Sequence, residues 1–120
     1  GKLEHGWVVA SESAALDIVG ASFVREVEPG EVVTIYPNKL RAQKPFEKIQ
    51  PTQCVFEHIY VARPDSNIFG QSVMEVRKNL GRQLAKTAPV EADMVMAVPD
   101  SSNASYALYN RIKPFSRMKF

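Results

Sequence analysis

The feature that most constrains this chain is a change of hydrophobic period along it. In the first third, apolar residues come in short strand-like runs separated by turns. From Gly70 onward they fall at helical spacing, and they then gather in one near-continuous run, Asp93-Met94-Val95-Met96-Ala97-Val98. Such a run reads as a strand buried on both faces of a parallel sheet. Pro99-Asp100-Ser101-Ser102 breaks it, and a further helix is expected from Asn103 to Asn110. A strand, a Ser-rich loop and a helix make half of a βαβ unit. No partner strand follows before Phe120, and a lone half-unit leaves its apolar faces wet. The expectation is a segment cut across a domain boundary, which the pattern places between Ala62 and Gly70.

The first third reads as a β-meander carrying a small helix. Gly6 to Ala10 suits a short buried strand. Ser11-Glu12-Ser13 offers capping hydroxyls to a helix over Ala14–Val19 that Gly20 stops. Phe23 to Val27 and Glu31 to Tyr36 read as strands about the turn Glu28-Pro29-Gly30-Glu31, with a third strand over Lys39–Gln43. Lys44 to Gln53, with two prolines, reads as a loop. Cys54 to Ala62 is β-branched and aromatic and reads as a strand, although periodicity over so short a run does not separate strand from short helix. Arg63-Pro64-Asp65-Ser66-Asn67 must leave regular structure, because Pro64 restricts the residue before it. Val73, Val76, Leu80 and Leu84 then predict a helix over about Gln71–Lys86, with Arg77, Lys78, Arg82 and Lys86 on its wetter side.

Composition narrows the chemistry. Fifteen Lys+Arg against thirteen Asp+Glu give +2, spread too evenly to be a footprint for nucleic acid. One cysteine, Cys54, excludes an intramolecular disulfide and a self-contained zinc site, which needs about four ligands. No apolar run approaches the roughly 20 residues of a membrane span, and no signal-peptide core opens the chain, so a reducing compartment is expected.

The Ser-rich loop is the strongest chemical candidate. A loop leading from a strand into a helix N-terminus points backbone N–H groups outward, where the helix dipole adds partial positive charge. Ser101 and Ser102 add hydroxyl donors, so a phosphate or pyrophosphate would be held there without a lysine, and Asp100 or a serine could help hold Mg²⁺ brought by a polyphosphate. The local pattern alone favours a plain turn and N-cap, and the loop lacks the Gly-rich spacing of a Walker motif. Cys54 could be a small buried hydrophobe, a cluster ligand or a nucleophile. Its only neighbouring base, His58, would lie about 13 Å away along a strand, which discounts the last role.

Cys54-Val55-Phe56-Glu57-His58-Ile59-Tyr60-Val61-Ala62-Arg63-Pro64-Asp65-Ser66 resembles the inter-domain segment of the amidophosphoribosyltransferase family. Upstream, Val9-Ala10-Ser11-Glu12-Ser13, Leu16-Asp17, Val19-Gly20 and Arg25 to Glu31 resemble the end of its glutaminase domain. Downstream, Ser72-Val73, Arg77, Asn79-Leu80-Gly81, Leu84-Ala85, Ala92-Asp93 and Val98-Pro99-Asp100-Ser101 resemble the start of its phosphoribosyltransferase domain. Matches run from about Trp7 to Ser102. Beyond that they decay: Asn103 to Tyr109 is loosely family-like, Asn110 to Phe115 is shortened, and Ser116 to Phe120 departs from the expected glycine-containing run.

The resemblance implies an α+β part followed by an α/β part. Residues 1–62 would close an N-terminal-nucleophile (Ntn) hydrolase glutaminase domain of αββα type. Residues 63–70 would be the inter-domain junction, and 71–120 the first helix and strand elements of a type I phosphoribosyltransferase domain. In the family, ammonia released from glutamine passes through an internal channel and displaces pyrophosphate from Mg-bound phosphoribosylpyrophosphate, opening purine synthesis. Asp100, Ser101 and Ser102 then fall on the pyrophosphate loop, Ser101 on the Mg²⁺-associated position, and Cys54 where some members place one of four ligands to a 4Fe–4S cluster. The catalytic cysteine, the glutamine-binding residues and the acidic ribose-binding pair all fall outside these 120 residues, so the isolated chain is expected to be inactive. A cytoplasmic homo-oligomer inhibited by purine nucleotides is implied, with neither nucleic acid nor membrane as partner. The alternatives are another glutamine amidotransferase of the glucosamine-6-phosphate synthase type, and a non-catalytic assembly or nucleotide-sensing module.

Overall fold

A computed structural model describes residues 1–37 and 39–112, the backbone alone for 110–112. The expectations placed on Lys113 to Phe120 lie outside the described residues. By its internal packing the chain divides into two compact units, Gly1–Cys54 and Val55–Phe120.

The first unit opens with a two-residue hairpin, β1 (Lys2–Leu3) antiparallel to β2 (Gly6–Trp7). Lys2 also exchanges backbone hydrogen bonds with Ser22, at 2.8 and 2.9 Å, and its ammonium lies 4.4 Å from the Trp7 ring centroid. The predicted helix forms as α1 (Ser13–Ile18) and buries Ala14 and Leu16. Glu12, not a serine, stands at its N-cap position and makes no side-chain capping hydrogen bond. Its C-terminus closes as a Schellman motif. Gly20 takes φ +70° and donates to Asp17, and Ala21 reaches back to the Leu16 carbonyl at 2.9 Å.

The hairpin expected over Glu31–Gln43 is present as β3 (Val32–Ile35) antiparallel to β4 (Leu40–Gln43), in register from Val32↔Gln43 to Ile35↔Leu40. It is entered through the turn at Glu28–Glu31, where Gly30 has φ +75°. The strands expected over Gly6–Ala10 and Phe23–Val27 are corrected. The first stops at Trp7, and in the second no described strand pairs with residues 23–27, leaving Phe23, Val24 and Val27 exposed.

The second unit begins with a departure from expectation. Cys54–Ala62 contains no strand. Glu57–Val61 is one turn of π-helix, closed by the Ala62 N–H on the Glu57 carbonyl at 3.0 Å. The β-branched and aromatic residues that suggested a strand are mostly exposed here, and only His58 and Ala62 are buried. Pairing on a sheet would have required a neighbour, and instead the chain coils so that its carbonyls meet Arg77.

Arg63 then grips Asp65 through two hydrogen bonds, at 3.0 and 2.9 Å. A small hairpin follows, β5 (Asn67–Ile68) against β6 (Gln71–Ser72). Its two-residue turn, Phe69-Gly70, has φ +53° and +73°, the signs a type I′ turn demands. The Phe69 ring packs edge-on to His58 at 5.8 Å, over the core of Ala62, Ile68 and Val73.

Ser72 accepts from the Glu75 N–H and so caps α2 (Val73–Thr87), close to the predicted helix. The buried stripe of α2 is displaced from the one expected. Val73, Arg77, Gly81 and Ala85 are buried, whereas Leu80 and Leu84 are 45% and 53% exposed and Arg77, expected wet, is 3% exposed. The displacement follows from α3 (Asn103–Ile112), which crosses α2 at the small residues. A Cβ built on Gly81 would lie 2.1 Å from the Ser105 carbonyl oxygen. The strand expected over Asp93–Val98 is also corrected. Val95 and Ala97 are half-buried and Met94, Met96 and Val98 are exposed, but no described strand pairs with this stretch, so it is not a strand.

Candidate functional site

The Ser-rich loop sits where the sequence pattern puts it, at the entry to α3. Asp100 and Ser101 form a turn and Ser102 leads into the helix, with Asp100 exposed and both serines half-buried. The Asn103 N–H donates to the Asp100 carbonyl at 3.2 Å, and the Tyr106 N–H closes the first helical turn on the Ser102 carbonyl at 2.8 Å. The Ser102 hydroxyl donates back to the Val98 carbonyl, fixing the loop to the end of the extended stretch. The Pro99–Asp100 peptide bond is cis.

These bonds leave a concentration of donors. Among the described residues, the backbone N–H groups of Ser101, Ser102 and Ala104 and the Ser101 hydroxyl have no protein acceptor. They lie at the positive end of the α3 dipole, where orphan N–H groups are ready for an anion. The structure therefore brings Asp100, Ser101 and Ser102 together in one short loop.

Magnesium is compatible with this donor set. Mg²⁺ is held by one or two protein oxygens together with substrate phosphates and water, and Asp100 and Ser101 supply a carboxylate and a hydroxyl. No cluster of three or more His, Cys, Asp or Glu occurs among the described residues, so an ion here would depend on phosphate oxygens for the rest of its shell. An iron–sulfur cluster does not fit the chain's own residues. It needs about four thiolates, and Cys54, an exposed free thiol in the first unit, is the one cysteine of the sequence.

Three residues that the sequence pattern did not single out for function set the loop in place. Ser105, in the first turn of α3, donates from its hydroxyl to the Arg77 carbonyl of α2 at 2.8 Å. Gly81 lets the two helices approach that closely. The Arg77 side chain donates from Nε to the His58 carbonyl at 2.7 Å and from Nη2 to the Ala62 carbonyl at 2.9 Å. Burial pushes its pKa below the ordinary arginine value. A glycine inside a helical pattern was the one available signal, because it costs about 1 kcal/mol relative to alanine and so points to a place where a side chain would not fit. At the helix's other end, Tyr109 is buried and its hydroxyl donates to the Ala88 carbonyl at 3.3 Å.

Comparison with known proteins gives a consistent result. No protein-family model matches the chain. The amidophosphoribosyltransferase of Mycobacterium tuberculosis is 53% identical over 109 residues, which is 91% of this chain and 20% of that protein. That of Bacillus subtilis is 48% identical over 85% of this chain and 21% of its own length, and that of Archaeoglobus fulgidus is 46% identical over 84% and 22%. The solved glutamine phosphoribosylpyrophosphate amidotransferase from B. subtilis, complexed with ADP and GMP, aligns with a TM-score of 0.80 and 43% identity over 88% of this chain and 23% of that one. A structure described as the allosteric regulatory enzyme of purine biosynthesis aligns equally well. The chain spans about a fifth of the length of these relatives, and over most of its own length it is a homologue of a segment of the amidophosphoribosyltransferases.

Proposed function

We propose that this chain is a segment of an amidophosphoribosyltransferase, and that its Asp100–Ser102 loop holds the pyrophosphate of phosphoribosylpyrophosphate while glutamine-derived ammonia displaces it. The observation that carries the reading is the coincidence of two independent facts. The chain is 53% identical over 109 residues to an enzyme of that name, and a loop of unpaired N–H donors stands at the start of α3.

In this reading the Ser101, Ser102 and Ala104 N–H groups and the Ser101 hydroxyl hold the pyrophosphate oxygens. Donors already aimed at the departing charge need no reorganisation as it develops. Asp100 and Ser101 would hold the Mg²⁺, which when bound helps neutralise the leaving group. The proposal follows the family in three further respects: residues 1–62 belong to the glutaminase part and 71–120 to the transferase part, the whole enzyme self-associates, and it works in the cytoplasm. No helix among the described residues is long and apolar enough to cross a membrane. A cluster, where the parent enzyme carries one, would take Cys54 alone from this chain. A nucleotide-sensing module is the second reading, favoured by the ADP and GMP on the solved relative. None of the relatives named above is of the glucosamine-6-phosphate synthase type.

Calorimetry on the purified chain tests the proposal. Magnesium pyrophosphate is expected to bind, Ser101→Ala to weaken it, and glutamine to release no ammonia. Binding of ADP or GMP without pyrophosphate binding would replace the proposal with the sensing module, and binding of none of them would remove the loop's assigned role.

A further inference from the structure

The anion loop is not supported by its own sequence neighbours alone. Its first helical turn is pinned from across the fold. Ser105 lies three residues beyond Ser102, and its hydroxyl donates to the main-chain carbonyl of Arg77 at 2.8 Å. One helical turn along α2, the missing side chain of Gly81 lets the Ser105 backbone pack directly against the helix, since even a Cβ there would come within 2.8 Å of three Ser105 backbone atoms. The Arg77 guanidinium then continues the connection to the π-helix Glu57–Val61, through the His58 and Ala62 carbonyls.

The choice of residue at position 77 is informative. Arg77 is 3% exposed, and among the described residues no carboxylate pairs with it. Filling space in a helix–helix contact would be served at lower desolvation cost by an apolar side chain. A buried cation whose donors meet two carbonyls of the Glu57–Val61 turn and its C-cap instead fixes direction, because hydrogen bonds from a charged, planar donor are strong and geometrically specific. π-helical turns are rare and occur frequently at functional sites.

We propose that Ser105 and Arg77 act as a pair of positioning residues that fix the Asp100–Ser102 loop relative to the π-helix, so that the geometry of the anion cradle depends on that helix. The inference rests on the reading of the loop given under Proposed function, but its structural half stands on the bonds themselves.

The test uses the 120-residue chain and two readouts: amide hydrogen exchange resolved by residue, and calorimetry with magnesium pyrophosphate. In Ser105→Ala the Asn103 and Tyr106 amides are expected to exchange about fivefold faster, the size of one ordinary hydrogen bond. The amides of Leu84 and Ala85 within α2 should keep their rates, and pyrophosphate affinity should fall by a similar factor. Arg77→Lys, which keeps the charge but loses the two-pronged donor, should speed the same two amides although it lies more than twenty residues from them. Where Arg77→Lys unfolds, Ser105→Ala alone decides. Exchange that rises uniformly through α2 makes the role merely structural and overturns the inference, as do unchanged loop exchange and affinity in Ser105→Ala. Faster loop exchange in a chain whose wild type binds no pyrophosphate upholds the positioning pair and removes the pyrophosphate reading instead.

Discussion

Replacing Gly81 with alanine sets two opposed effects against each other, and its sign reports on the α2–α3 contact. Alanine in a helix interior is worth about 1 kcal/mol over glycine, so an exposed Gly81 would give a stabilised protein. The new Cβ would lie 2.1 Å from the Ser105 carbonyl oxygen, 2.7 Å from its carbon and 2.8 Å from its Cα. All three are backbone atoms and cannot rotate away, so α3 must retreat by about 1 Å, and overpacking of this kind costs about 1–3 kcal/mol. The retreat also stretches the Ser105–Arg77 hydrogen bond, now 2.8 Å, forfeiting about 1 kcal/mol more. The clash outweighs the propensity, and the expected result is a net destabilisation of about 1–3 kcal/mol. With a urea m-value of about 1 kcal/mol/M for a unit of this size, the far-UV circular dichroism midpoint should fall by about 1–3 M. A midpoint that stays put or rises would refute the reasoning, because it would mean that α3 does not press on Gly81.

Other expectations concern separate parts of the molecule. The Arg25 guanidinium, hydrogen-bonded to the Glu31 carboxylate, together with the Glu28 N–H, holds the Glu31 pKa down at about 2, against an ordinary 4.5. A carboxyl whose folded pKa is depressed stabilises above its unfolded value, and that contribution is lost as pH falls from about 4.5 towards 2. Glu31→Gln should therefore flatten the acid limb of the stability profile over that window, followed by fluorescence of Trp7 in the same unit. Gly70→Ala forces a side chain onto φ +73° in the β5–β6 turn and should lower stability by about 1 kcal/mol in a urea titration. Arg77→Met leaves the His58 and Ala62 carbonyls without their donors. It should cost about 1–3 kcal/mol by the same assay, the gain from removing a buried charge offsetting part of the loss.

What could be read from the sequence was what is decided locally. The β3–β4 hairpin, α1, α2 and α3 were each announced by a short-range signal: two short strand-like runs over Glu31–Gln43, Gly20 after a helix, the helical spacing of Val73, Val76, Leu80 and Leu84, and Pro99-Asp100-Ser101-Ser102 before a helix. The errors fall where a distant partner decides. Cys54–Ala62 has strand composition, yet its carbonyls are taken by an arginine 15 and 19 residues from its bonded positions, and the chain coils to present them. On α2 the apolar periodicity pointed to Leu80 and Leu84, but α3 lies over Gly81 and Ala85, and helix faces are chosen by what packs on them.

The same division explains the candidate site. Donating groups at a helix start are a local property, so Pro-Asp-Ser-Ser before a helix offers an anion site as a candidate in the sequence, although the local pattern alone favours a plain turn and N-cap. Strand formation in Asp93–Val98 is not local: a backbone becomes a strand only when another backbone pairs with it. Its apolar residues are correct for that fate, with Val95 and Ala97 turned inward and Met96 79% exposed on the other side. The loop stays in place without a sheet because Ser102 ties it to Val98 and Ser105 ties its helix to α2. The groups of the proposed cradle therefore lie between Asp100 and Ala104, while the placement of their helix depends on the contact of Gly81 with Ser105, 24 residues apart in the sequence, a meeting no local pattern could announce.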